Sequence, residues 1–172
     1  MQQEKTKNNF KIILLFSILL CFLFLKFFYL LFAPPLPDEA YYWLWAKRID
    51  LSFYDHPPLS IWAQSMFSKY FSNKYFLIRI VPTLSFVFVL IISFIWIRRI
   101  DHTKGIDDYL KYTILLLSVP VFNVFLTISF PDPILICTLL TSGFFFHHYL
   151  ERKNQFGLRK YLFWYIAVFF FS

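Results

Sequence analysis

Charge is scarce in this chain. Only 16% of its 172 residues are Asp, Glu, Lys or Arg, whereas 59% are hydrophobic and 24% aromatic. A soluble domain of this length has too little interior to hide so much apolar surface. A water-soluble fold is therefore excluded, and a bilayer becomes the expected solvent. Cysteine is nearly missing as well. Cys21 and Cys137 both fall inside apolar runs, where they read as small packing residues and not as a disulfide framework. A basic face is missing too: the net charge is +7, but the cations flank greasy segments, as in membrane proteins, so nucleic-acid binding is not expected. No small-residue cleavage site follows the first apolar run, which is also too long for a signal-peptide core. It reads as an uncleaved span. No internal repeat or low-complexity linker is visible.

What is present is a series of long apolar runs. Candidate spans cover residues 12–33, 75–97, 112–130 and 133–150, and a run at 161–172 is too short to cross. Pro120 interrupts the third, which neighbouring helices can tolerate in a membrane. The last run stops without a polar tail, so the chain is expected to be a truncated part of one transmembrane domain over 1–172. Lys5, Lys7 and Lys11 precede the first span. Arg98, Arg99, Lys104 and Lys111 lie between the second and third, and Arg152, Lys153, Arg159 and Lys160 follow the fourth. Alternate connections are thus basic, which places them in the cytoplasm and the 34–74 loop outside. Lys47, Arg48, Lys69 and Lys74 run against that bias. The topology puts Asp38, Glu39, Asp55, His56 and Asp132 on one side of the membrane.

The outer loop has helical spacing of its own. Tyr41, Leu44, Trp45, Arg48 and Ile49 recur at helical intervals, as do Leu59, Trp62, Met66 and Tyr70. Two interfacial helices are expected, with Tyr and Trp at the headgroup level. Asp38 reads either as a helix N-cap, with Glu39 in the first turn, or as a general base facing a membrane-bound substrate. Asp55 and His56 precede paired prolines that stiffen the backbone. They fit a helix cap or a metal or phosphate site. Asp132, before Pro133, fits a helix start or a functional carboxylate at the mouth of a span. Arg79 either snorkels or holds a phosphate, and Lys26 either snorkels or pairs with an acid. His147 and His148 read as interfacial residues at the opposite end.

The run "DEAYYWLWAKRIDLSFYDHPPLSIW" resembles the first external loop of glycosyltransferase family 39-like membrane enzymes. These include bacterial relatives of the protein O-mannosyltransferases and the aminoarabinose transferases that modify lipid A. "LIRIVPTLSF" is similar to the family's arginine-bearing start of the next span. "ISFPDPILI" is similar to a later Thr-Pro-Asp stretch, with Phe130 in the threonine's place.

The resemblance implies an all-α, GT-C-like polytopic fold in the bacterial inner membrane. It also implies transfer of a sugar from a polyprenyl-phosphate donor to an extracytoplasmic acceptor such as lipid A, a protein or a glycolipid. The family's catalytic Asp maps onto Asp38, with Glu39 beside it, and its later external Asp onto Asp132. Asp55 and Arg79 match its loop acid and its arginine. Arg79 and His56 are candidates to meet the phosphate charge. A divalent metal on Glu39 or Asp55 is the one cofactor considered. Membrane lipids and the lipid-linked donor are the expected partners. The alternative is a non-catalytic membrane protein, such as a partner of a lipid-linked sugar flippase or a gene remnant, whose acids serve only as caps.

Overall fold

The computed structural model of the chain describes residues 2–54, 56–68, 75–100, 105–151, 162 and 165–166. The described residues form helices and no strand. Helix α1 (Gln2–Phe32) leads into a short α2 (Pro37–Ala46) and α3 (Pro58–Ser68). A 3₁₀ turn (Tyr75–Arg79) then opens α4 (Ile80–Ile100). α5 (Ile106–Ser118), α6 (Pro120–Phe125) and α7 (Asp132–Glu151) complete the set.

Three helices are long and apolar enough to cross a membrane: Asn8–Phe32, Leu77–Ile100 and Asp132–Glu151. They correspond to three of the four full spans expected from sequence. The stretch at 112–130 differs. Pro120 has no N–H to donate back along the helix, and it forces Val119 into an extended conformation (φ −79°, ψ 111°). The chain therefore breaks into α5 and α6, neither long enough to span alone, followed by an irregular segment to Pro131. The expected run at 161–172 lies almost wholly outside the described residues, as do Asp55, Lys69 and Lys74.

Contacts fix the directions of the helices. Lys11 of α1 meets Asp107 at the start of α5 at 3.1 Å, and Lys26 meets Leu126 beyond α6, so α1 runs parallel to α5 and α6. Leu117 packs in one cluster with Phe86, whereas Tyr109 Oη donates to the Leu90 carbonyl and its ring packs edge-on against Phe94, which sets α5 antiparallel to α4. Ser85 lies against Cys137, and Arg99 against His148 and Glu151, so α4 and α7 run parallel. The up–down alternation inferred from the basic connections is thus preserved, although its third member is a broken helix.

Phe86, Val89, Leu117 and Leu126 form the buried centre, with Leu19 and Phe22 of α1 and Ile136 and Leu140 of α7 packed around it. Gly143 lets α7 approach α4 closely: a Cβ there would stand 2.9 Å from the Trp96 ring. The outer face of α1 stays apolar and exposed, through Phe10, Leu14, Phe24 and Phe28 among others, as a lipid-facing helix must.

Both expected loop helices form. α2 begins one residue before Asp38, because Pro37, with its preset φ and missing N–H, takes the first helical position and Leu36 the cap. Tyr41 packs on Trp45 at 4.2 Å between ring centroids, and Trp45 stacks on Phe53 at 5.0 Å.

Candidate active site

The end of the bundle that carries α2 is organised around one carboxylate. Glu39, in the first turn of α2, is fully buried. Arg79 Nε donates to its Oε1 at 2.8 Å and Nη2 to its Oε2 at 2.6 Å. The backbone N–H of Leu36 donates to Oε2 at 2.9 Å, and that of Ser129 to Oε1 at 2.8 Å. Four donors therefore meet the roughly four acceptor directions of an ionised carboxylate. Burial opposes ionisation, but the Arg79 hydrogen bond, the two backbone N–H groups and the Arg79 charge together hold the carboxyl below its ordinary range.

Arg79 is equally complete. Besides the two bonds to Glu39, Nη1 donates to the carbonyls of Tyr29 and Ala33 and Nη2 to that of Pro34, each at 3.1 Å. A guanidinium has five N–H groups, and here all five are taken. Its face lies over the Tyr29 ring at 4.8 Å. Sitting on the last carbonyls of α1, the cation also opposes the negative end of that helix dipole. Arg79 thus neither snorkels to solvent nor keeps an N–H for a phosphate, and Glu39 keeps no lone pair for a metal or a substrate proton. Both residues act as a clamp that joins the end of α1, the start of α2, the start of α4 and the turn before α7.

Asp38, the neighbouring acid, has the opposite surroundings. It is exposed, and its carboxylate pairs with no side chain among the described residues. Tyr42, one helical turn further along α2, is buried and its Oη lies 2.7 Å from His56 Nε2. Its ring also stands edge-on to Phe130. His56 and Asp132 line one cavity of about 210 Å³, together with Pro57, Ser60, Pro131 and Leu135. Asp132 is half-buried and forms the first residue of α7. The contacts therefore bring Asp38, His56 and Asp132, from three separate elements, to the same end of the bundle. Asp55 lies outside the described residues.

Two residues support this arrangement without any signal in the periodicity. Gln64 of α3 is buried and donates from Nε2 to the Ile78 carbonyl at 3.1 Å and to Ser129 Oγ at 2.9 Å. A lone amide on the apolar face of a short helix was the available clue. Lys26 is buried in the first span. Its Nζ donates to the Leu126 carbonyl at 2.7 Å, to Thr127 Oγ1 at 2.5 Å and to the Asn123 carbonyl at 3.3 Å, and it lies 4.5 Å from the Phe86 ring centroid. Among the described residues it pairs with no acid. It caps the broken helix α6 and so steadies the segment that delivers Ser129 and Asp132. His148, at the far end, is buried against Arg99 at 3.0 Å.

Among the described residues no group of three or more His, Cys, Asp and Glu side chains is placed to hold a metal. Glu39, one of the two metal candidates, does not fit that role because its oxygens are filled.

A bundle of parallel and antiparallel membrane-length helices, with Asp38, His56 and Asp132 gathered at one end, defines an integral membrane protein with a polar site at its surface. The model of the dolichyl-phosphate-mannose-protein mannosyltransferase family matches residues 55–171, and the chain belongs to that family of membrane glycosyltransferases. The match takes in His56, Arg79 and Asp132; Asp38 and Glu39 lie upstream of it. Neither a search of curated proteins nor one of solved structures gives a significant match.

Proposed function

We propose that the site transfers a sugar from a polyprenyl-phosphate donor to a hydroxyl acceptor on the outer side of the membrane, with inversion at the anomeric carbon. Asp38 takes the proton from the acceptor hydroxyl as its oxygen attacks that carbon. The bond from the anomeric carbon to the phosphate oxygen breaks, and the electron pair leaves with the polyprenyl phosphate. A general base must keep a free lone pair and lie open to substrate. Asp38 meets these conditions and Glu39 does not. This division between adjacent acids is the observation that carries the proposal, and the family's lipid-phosphate sugar donor supports its substrate class.

The developing phosphate charge needs a cation or strong donor. With Arg79 saturated, that role passes to His56. Tyr42 holds one ring nitrogen of His56, leaving the other for the phosphate. Asp132, which lines the same cavity as His56, orients the acceptor. Asp55 remains a candidate for phosphate or metal contact on sequence grounds.

The test is Asp38→Asn in protein reconstituted into membranes with a polyprenyl-phosphate sugar. Turnover is expected to fall by about 10²–10⁴-fold, with donor binding unchanged. Undiminished turnover would remove Asp38 from the mechanism. Glu39→Gln serves as the contrast: its damage is expected in folded yield and thermal stability, since Glu39 touches no substrate.

A further inference from the structure

The connection between α2 and α3 carries features that the transfer site does not use. Lys47 and Arg48 follow α2 and are both exposed, at the end of the bundle away from Lys11, Arg99 and Lys111. Neither side chain pairs with a described residue. Directly after them, Leu51 is 84% and Tyr54 99% exposed, and Ile49 is exposed as well. Beneath this stretch lies an open, mostly apolar groove of about 590 Å³, walled by Ile49, Leu51, Leu59, Trp62 and Met66. Its volume falls within the roughly 300–1,000 Å³ of small-molecule clefts. Hydrogen bonds hold it open. Trp62 Nε1 donates to the Asp50 carbonyl at 2.9 Å, the Leu51 N–H donates to Asp50 Oδ1 at 2.7 Å, and Ser68 Oγ donates to the Ala46 carbonyl at 3.1 Å.

We propose that this groove binds an anionic phospholipid of the surrounding leaflet, with an acyl chain against Trp62 and Met66 and the phosphate against Lys47 and Arg48. Charge selects the occupant. Two exposed cations directly precede Ile49, Asp50 and Leu51 of the groove wall, and the acid among these described residues, Asp50, has an oxygen tied to the Leu51 N–H. Among the described residues 47–54 the balance is one positive charge. A zwitterionic headgroup would bring its own cation against Lys47 and Arg48, whereas an anionic one would not. Lysine and arginine on this end run against the charge bias of the other connections, and a lipid ligand gives them a role. A surface cation adds about 1 kcal/mol of attraction to anionic lipid, so the net charge here sets a preference of about fivefold.

The test uses the full chain with Trp62 as sole tryptophan (W43F/W45F/W96F/W164F), reconstituted in vesicles of phosphatidylcholine and phosphatidylglycerol. Either lipid carries brominated chains, which quench a tryptophan they touch. Half-quenching is expected at about fivefold lower mole fraction of brominated phosphatidylglycerol than of brominated phosphatidylcholine, and K47Q/R48Q should abolish the difference. Equal quenching by both lipids would reduce the groove to unselective bilayer contact and overturn the proposal. Absent quenching would mean that a second copy or another protein fills the groove, which overturns it equally. Persistence of the preference in K47Q/R48Q would also refute it. If the multiple tryptophan variant does not fold, mass spectrometry of lipid retained by the wild type and by K47Q/R48Q gives the same comparison. Expected is phosphatidylglycerol enrichment in the wild type alone, and equal retention refutes the proposal.

Discussion

Replacing Arg79 by Met keeps most of the side chain's bulk and removes all five donors at once. Glu39 then remains buried with only the Leu36 and Ser129 N–H groups facing it, and the carbonyls of Tyr29, Ala33 and Pro34 lose their shared partner. Breaking a buried ion pair from one side costs about 3–5 kcal/mol. The part-buried carbonyls add about 1 kcal/mol between them, since water reaches helix ends. The expected loss is about 4–6 kcal/mol, or a fall in Tm of about 10–20 °C for a chain of this length. Reversible unfolding in mixed micelles, followed by circular dichroism, measures it. Arg79→Lys should not restore the loss, because three donors cannot serve five acceptors. The double variant Glu39→Met/Arg79→Met removes both charges, so it should lose less than the two single variants together by about 2–3 kcal/mol. An Arg79→Met loss below about 1 kcal/mol, or strict additivity in the cycle, would show that the clamp does not hold this end of the bundle.

Other outcomes follow from the same geometry. Because the Glu39 carboxyl is held below its ordinary range, the stability it contributes is fully present above the unfolded value near 4.5 and is lost as pH falls through the lower folded value. Acid titration of wild type against Glu39→Gln should therefore converge in stability at low pH and diverge toward neutrality. Gly143→Leu drives a side chain into Trp96 and should cost about 1–3 kcal/mol, read by thermal unfolding. Gly143→Ala is milder, since the ring edge can shift a few tenths of an ångström. Lys26→Met leaves the Leu126 and Asn123 carbonyls without their ammonium and should lower stability by about 1–3 kcal/mol; if that segment positions Asp132, transfer activity falls with it. The exposed Lys11–Asp107–Lys111 group should matter little, with Asp107→Asn within about 1 kcal/mol of wild type and any difference erased by salt.

The sequence by itself determined the membrane class, three of the crossing helices, both loop helices and the sorting of polar residues to two ends. These follow from one-dimensional patterns: apolar run length, helical spacing of aromatics and the alternation of basic connections. It marked Pro120 as an interruption, but not that α6 would end at Phe125, where Lys26, about a hundred residues away along the chain, takes the Leu126 carbonyl. Tertiary structure alone separated Asp38 from Glu39. The two acids are adjacent and chemically almost alike, so no local pattern distinguishes them. Arg79, 40 positions on, and the Ser129 N–H, 90 positions on, enclose one carboxylate and leave the other open. The same contacts use up the guanidinium that sequence offered to the phosphate. Hydrogen-bond saturation is a property of assembled partners, and a linear pattern does not contain it.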